Sequence, residues 1–148
     1  MTDIHVRRMT PDDADAVSVL EKRCFSVPWS RASFWEEASQ KDACYLVALA
    51  GEEIIGYAGV WILGTEGHIS NVAVDPAHRG QGIGSALLEN LIRAMKERGA
   101  ASATLEMRVS NDAARKLYEK YGFKSVGIRP KYYTAPVEDA DILWNTKI

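Results

Sequence analysis

Apolar positions change period along the chain, and the changes mark out its elements. Ile4 to Arg8 has the pattern of a short strand, and Thr10-Pro11-Asp12-Asp13 then supplies a helix N-cap, a proline at the first helical position and early acids. Val17, Leu20 and Cys24 follow at helical spacing. Pro28 interrupts, and Ser30 can cap a second helix carrying Phe34, Trp35 and Ala38. Cys44 to Ala50 and Ile54 to Leu63 read as strands joined by a tight turn at Gly51-Glu52. A further turn from Gly64 to Gly67 leads into a strand from Ile69 to Val74, which stops at Asp75-Pro76. Leu87, Leu88, Leu91, Ile92 and Met95 form the buried stripe of a long helix ending near Gly99. Ala103 to Val109 is predicted as a strand, Asn111 to Tyr121 as a helix ending at Gly122, and Phe123 to Ile128 and Asp141 to Thr146 as closing strands. No linker, repeat or low-complexity run divides residues 1–148. The predicted architecture is therefore one α/β (α+β) domain, with a central, mostly antiparallel mixed sheet flanked by about four helices.

Composition narrows the class. With 47% hydrophobic and 26% charged residues, the 148-residue chain has the make-up of one soluble globular domain. A net charge of −2, without a basic run, offers no footprint for direct nucleic-acid binding or a membrane surface. Cys24 and Cys44 lie in apolar or helical surroundings and read as free thiols. His5, His68 and His78 are scattered without ligand spacing, so no metal is expected. Met1-Thr2-Asp3-Ile4-His5 lacks the apolar stretch of a signal peptide, and the apolar runs are far shorter than a membrane span. A cytoplasmic location is expected, and nothing in the sequence bears on oligomeric state.

The chemistry concentrates in His78-Arg79-Gly80-Gln81-Gly82-Ile83-Gly84-Ser85. Three glycines in five residues open a helix in which glycine is unfavourable, which points to a backbone that a ligand must approach closely. The unpaired N–H groups of a helix start, together with its dipole, favour an anion there. A Walker A loop would need a lysine after the last glycine, and Gly84-Ser85-Ala86 has none. A dinucleotide fingerprint would need glycine where Ser85 stands, although Glu106 lies near the distance of its ribose-binding acid. A phosphate cradle of another kind, or a plain glycine-rich turn, remains.

Arg79-x-x-Gly82-x-Gly84 resembles the pyrophosphate-binding motif of the GNAT superfamily of acyl-CoA-dependent N-acetyltransferases. The order of elements resembles that fold over almost the whole chain. Four further segments are similar to the ribosomal-protein alanine N-acetyltransferase (RimI) family: Cys24-Phe25-Ser26-Val27-Pro28-Trp29-Ser30, Leu105-Glu106-Met107-Arg108-Val109-Ser110-Asn111, the helix from Ala114 to Phe123, and Arg129-Pro130-Lys131-Tyr132-Tyr133 with Glu138-Asp139-Ala140. Lys131 stands where family members often carry asparagine, and Trp144 where methionine is common. The first departure bears on contact with an incoming peptide.

The resemblance implies an enzyme that uses acetyl-CoA as acetyl donor. Arg79, Gly80, Gln81, Gly82, Ile83, Gly84 and Ser85 would hold the pyrophosphate, chiefly through backbone N–H groups. Backbone groups of Asn71, Val72, Ala73 and Val74 would pair with the pantetheine arm as another strand would, and one would polarise the thioester carbonyl. Glu106 becomes the candidate general base, although alternation along its strand also suits a solvated residue paired with Arg108. Tyr118 becomes the candidate acid that protonates the departing thiolate, with a core aromatic as the structural alternative. Leu117 and Tyr121 form the i, i+4 apolar pair of that helix, which places Tyr118 beside the stripe. Asn111 fits a helix N-cap and a polar contact to CoA equally well. Trp29, Tyr132 and Tyr133 would line a groove for the first residues of a protein N-terminus, or else pack a loop against the sheet.

Proton arithmetic favours an α-amine as acceptor. Near pKa 7.8 it is roughly a tenth neutral at pH 7, whereas a lysine near 10.4 is neutral less than about one part in a thousand, a difference of about 3.5 kcal/mol. The expected reaction is acetylation of a protein N-terminus, with the N-terminal alanine of a small-subunit ribosomal protein as the acceptor the family implies. The alternatives are transfer to lysine side chains or to a small amine such as a polyamine or antibiotic, for which Glu138, Asp139 and Asp141 could supply acids, and a non-catalytic acyl-CoA-binding module.

Overall fold

The computed structural model describes residues 4–25 and 29–148; the predicted break at Pro28, the neighbouring Ser26 and Val27, and the first three residues lie outside that range. Strand β1 (Ile4–Arg8) leads through a 3-10 turn at Pro11–Asp13 into helix α1 (Ala14–Cys24). Helix α2 (Arg31–Ala38) begins where predicted, with Ser30 Oγ accepting the Ser33 N–H at 3.2 Å. Strands β2 (Ala43–Ala50), β3 (Glu53–Leu63) and β4 (Glu66–Val74) form a meander, followed by helix α3 (Ile83–Glu97). Strand β5 (Ser102–Arg108), helix α4 (Asp112–Lys120) and the hairpin of β6 (Lys124–Thr134) and β7 (Val137–Asn145) complete the described chain.

The seven strands form one sheet in the order β1-β2-β3-β4-β5-β7-β6. Strand alternation divides its two faces. On one face Cys44, Leu46, Ala48, Val60 and Leu105 pack with Leu87, Leu88, Leu91 and Met95 of α3 and Tyr118 of α4. On the other, Tyr45, Val47, Leu49 and Tyr57 pack with Val17 and Leu20 of α1 and Phe34 of α2. Because β2 is covered on both faces it reads as a continuous apolar run, whereas α3 shows a clean stripe. Within α2, Phe34 is buried but Trp35 is half exposed, so only part of the predicted apolar face meets the core.

Every strand pairing is antiparallel except one. Strands β4 and β5 run parallel and pair only through Glu66 with Ser102, Gly67 with Ala103, and His68 with Thr104. Opposite Gly59 and Val60 of β3, the register of β4 jumps from Asn71 to Ile69, leaving Ser70 as a bulge. A bulge bends its strand. Beyond it β4 stays with β3 while β5 stays with β7, so the two part and open a split in the middle of the sheet.

Two boundaries differ from the sequence reading. Glu66 and Gly67 are strand rather than turn and, with His68, extend β4, since ladder pairing on both edges needs no apolar side chain. The closing hairpin extends to Thr134 and Val137, because β6 is an edge strand with little burial and hence no apolar alternation to announce it. Within β6, Pro130, Lys131 and Tyr132 lie between rungs in which Arg129 faces Ala140 and Tyr133 faces Glu138. Lys131 there takes φ 51°, a left-handed conformation that asparagine adopts more readily than lysine. That backbone geometry bears on the asparagine common at this position in the resembling family. Among the described residues, no helix is long and apolar enough to cross a membrane.

Charged pairs fasten α1 at both ends. Asp13 accepts from Arg7 Nη1 and Nη2 at 2.8 and 2.9 Å and from the Thr10 N–H at 2.8 Å. At the other end Arg23 donates to Asp75 at 2.7 Å, and Asp75 also accepts the Ala77 N–H at 3.0 Å. The Arg7 hydrogen bonds, opposed by burial, hold the Asp13 carboxyl below its usual range. A carboxyl depressed in the folded state contributes stability above its unfolded pKa and loses it as pH falls through the folded value. Asp13→Asn should therefore lower stability by about 1–3 kcal/mol at pH 7. Denaturant titrations of the two proteins should converge as pH falls below roughly 4; a gap that stays constant with pH would rule out the ionised Asp13 as its source.

Candidate active site

A groove of about 540 Å³ occupies the split, open at the surface and walled by β4, β5, α1, α4 and the β6–β7 hairpin. The antiparallel register decides which β4 backbone groups face it. The Asp75 N–H bonds to the Ile55 carbonyl, which makes Val74 and Gly56 a non-hydrogen-bonded pair. The peptide groups of Val74, and two residues back of Val72, consequently point away from β3 into the split. Those of Asn71 and Ala73 are committed to β3, which leaves Val72 and Val74 for strand-like pairing, the Val74 carbonyl already accepting from the Cys24 thiol at 3.5 Å.

The end of β4 delivers the chain to the glycine loop. Gly80 and Gly82 both adopt φ 80°, and beyond each glycine and its chain neighbours no atom lies within 4 Å of where a Cβ would stand. Gly82 is the N-cap of α3 and offers no side chain to its first N–H groups, leaving those of Ile83, Gly84 and Ser85 uncapped. The Ile83 side chain is buried in the core, so Ile83 can meet a ligand only through its backbone. A Cβ on Gly84 would stand 3.3 Å from Leu117 Cδ2, so glycine here lets α3 and α4 approach. Arg79 and Gln81 are exposed beside the loop. This loop is separate from the groove lining and lies beyond the end of β4, so an elongated ligand with a phosphate end would run along β4 between the two.

Glu106 and Tyr118 face the groove from β5 and α4. Glu106 is not paired with Arg108: its Oε2 lies 2.7 Å from His68 Nε2, while Arg108 donates to Glu138 at 3.2 Å and to the Pro136 carbonyl at 2.9 Å. Only 17% of the Glu106 side chain is exposed, and its partner is His68. His68 sits at the last rung before the strands part and is half exposed, linking Glu106 to solvent.

Tyr118 is the most buried side chain of α4, lying edge-on to Phe123 at 5.8 Å. The helix rests on the sheet through Ala114, Leu117, Tyr118 and Tyr121, at i, i+3, i+4 and i+7, so Tyr118 is on the apolar stripe and not beside it. It is a core aromatic whose ring also lines the groove. Burial raises its phenol pKa and keeps it protonated. Asn111 Oδ1 accepts the Ala114 N–H at 3.1 Å, so it caps α4, while the residue still lines the groove.

Trp29, Tyr132 and Tyr133 line the same groove. Trp29 packs 5.5 Å from Phe34 and 6.4 Å from Tyr45, and a Cβ on Gly59 would collide with the Tyr45 ring. Tyr133 lies under the Arg108 guanidinium at 4.5 Å and edge-on to Tyr132 at 5.0 Å. Burial, chiefly, pushes its phenol up to about 12. The acids considered for a polyamine are already engaged. Glu138 accepts from Arg108 and the Ser110 N–H, Asp139 from the Lys131 N–H, and buried Asp141 from Arg115 and Ser125.

Two polar residues at the groove, His68 and Glu21, were not site candidates in the sequence reading. His68 becomes visible only through the parallel register of β4 and β5. Glu21 points inward from α1, accepting from Tyr57 and the Trp29 N–H, where a helical glutamate ordinarily signals a wet face.

Comparison with known proteins agrees with this geometry. The acetyltransferase (GNAT) family model matches residues 14–123. A Bacillus subtilis (strain 168) protein, provisionally named ribosomal protein bS18-alanine N-acetyltransferase, is 40% identical over 142 residues, covering 95% of this chain and 94% of its own. The Escherichia coli (strain K12) ribosomal protein bS18-alanine N-acetyltransferase is 37% identical over 133 residues, covering 88% and 89%. The crystal structure of the ribosomal-protein-S18-alanine N-acetyltransferase from Escherichia coli superposes with a TM-score of 0.88 at 33% identity, covering 96% of this chain and 92% of that one.

Proposed function

The chain belongs to the acetyltransferase (GNAT) family, and we propose that it transfers the acetyl group of acetyl-CoA to the N-terminal α-amine of a protein, with the N-terminal alanine of ribosomal protein bS18 as its acceptor. The observation that carries this reading is the pairing of a shielded carboxylate, Glu106, with an aromatic-lined groove that opens beside the unpaired β4 edge. The names of the similar bacterial proteins supply the acceptor.

The residues suit acetyl-CoA as donor. The uncapped N–H groups of Ile83, Gly84 and Ser85 and the bare Gly80 and Gly82 suit a pyrophosphate, and Arg79 adds charge beside them. The outward peptide groups of Val72 and Val74 suit the amide-bearing pantetheine arm, with one N–H left to polarise the thioester carbonyl. Acetyl-CoA supplies an activated carbonyl: the acceptor nitrogen forms a bond to its carbon, and the carbon–sulfur bond breaks.

Glu106 takes the proton lost by the amine, directly or through one water, and His68 offers it a route to solvent. Tyr118 gives its phenolic proton to the departing thiolate. Burial keeps the Tyr118 phenol protonated until the thiolate forms. Trp29, Tyr132 and Tyr133 hold the first residues of the peptide. The engagement of Glu138, Asp139 and Asp141 elsewhere weighs against a polycation as acceptor.

The test is thiol release from acetyl-CoA, with mass spectrometry of the acceptor, against peptides beginning with Ala, Ser or Met, the same peptides with blocked N-termini and an internal lysine, and spermidine. Acetylation only of free α-amines, fastest for alanine, is expected. Transfer to blocked peptides or to spermidine would contradict the proposal. Glu106→Gln should lower kcat by about 10²–10⁴-fold with unchanged acetyl-CoA affinity; full activity at every pH would remove Glu106 as the base. Tyr118→Phe should lower kcat about tenfold or more and leave CoA binding intact, whereas an unaltered kcat would leave the phenol only its packing role.

A further inference from the structure

Glu21 has no part in the proton route above, yet it is 1% exposed. Glutamate is rarely buried so completely without a cation, and among the described ion pairs none includes Glu21. Its carboxylate is held by neutral donors instead. Oε1 accepts from the Tyr57 hydroxyl, and Oε2 accepts the backbone N–H of Trp29 at 2.9 Å. The Tyr57 oxygen in turn accepts from Asn71 Nδ2 at 3.1 Å. Burial raises the pKa of both Glu21 and Tyr57, as expected of groups withdrawn from water.

The network joins three walls of the groove: α1 through Glu21, the segment bearing Trp29, and β4 through Asn71, next to the bulge at Ser70. An apolar side chain of similar size would pack α1 against the sheet without desolvating a carboxylate, as Val17 and Leu20 of the same helix do. What an apolar residue could not do is fix a backbone N–H and a phenol at once.

We infer that Glu21 is the positioning residue of the acceptor side: it pins the Trp29 backbone directly and the Asn71 side chain through Tyr57, so that the peptide-binding wall is ordered before the peptide arrives. This rests on the reading that the acceptor is a peptide N-terminus. Pre-organisation of this kind lowers the ordering penalty of binding and is expressed in acceptor affinity. Glu21→Gln keeps the volume but presents an NH₂ where one acceptor stood, leaving either the Tyr57 O–H or the Trp29 N–H unmatched. Tyr57→Phe removes the link to Asn71 and the donor to Glu21 Oε1 but leaves the Trp29 N–H paired.

The experiment measures peptide KM and kcat for an Ala-initial peptide, acetyl-CoA Kd by calorimetry, and Tm, for wild type, Glu21→Gln and Tyr57→Phe. Glu21→Gln should raise peptide KM about tenfold, Tyr57→Phe should raise it less, and acetyl-CoA Kd should stay within about twofold in both. Wild-type peptide KM in Glu21→Gln would overturn the inference alone. Parallel weakening of acetyl-CoA and peptide would also overturn it, since that signals general loosening. A wild-type protein that acetylates no peptide α-amine would overturn the acceptor reading and this inference together.

Discussion

The parting of β4 from β5 is the constraint on which the rest of the structure depends. Two parallel neighbours in the middle of a sheet would ordinarily pair along their length, because an unpaired buried N–H or carbonyl costs the free energy of a lost hydrogen bond. Here pairing ends at His68 and Thr104, and the bulge at Ser70 bends β4 away. The split leaves peptide groups of β4 without a strand partner and opens a wedge wide enough for a groove. The proposed acceptor side chains, the proposed proton-handling groups and the glycine loop are all placed by reference to it. Glu106 lies two residues beyond the last rung of β5, and the loop starts where β4 ends.

Such a gap has to be held open by bonds outside it. The Arg23–Asp75 pair ties the end of α1 to the end of β4, just before the glycine loop. On the opposite wall, Arg108 grips Glu138 and the Pro136 carbonyl and stacks on Tyr133, and Glu138 accepts the Ser110 N–H. That arrangement fixes the β6–β7 hairpin against the end of β5. The groove is thus braced by charged groups that satisfy one another, with Glu138 paired to Arg108 and Asp141 to Arg115. Among the described residues, Glu106 is the largely shielded groove carboxylate with an imidazole at its side.

Much of this was legible in the sequence, for identifiable reasons. Helix α3 has a continuous apolar stripe, and the glycines before it sit where glycine is locally unfavourable, so the element and its candidate ligand loop are both announced by the chain itself. Pairings across the split are not. The contact of His68 with Glu106 joins residues 38 apart and depends on parallel register, which no local pattern encodes. Glu21 is hidden for a different reason, since its helix position is apolar while its side chain is charged. On α4 the two-residue pair Leu117 and Tyr121 was too short a pattern to locate the stripe, which also takes in Ala114 and Tyr118. The exposed part of β6 carries no alternation to read, and only the hairpin's hydrogen bonds define it.

Backbone amide exchange gives the most direct view of the split as the donor-binding edge. The amides of Val72 and Val74 should be poorly protected in the free protein and gain about tenfold or greater protection at saturating CoA, along with Ile83 to Ser85, while β1 and β2 stay unchanged. Tight CoA binding by calorimetry with no change at Val72 and Val74 would contradict the account, because the ligand would then lie elsewhere than along the open edge of β4.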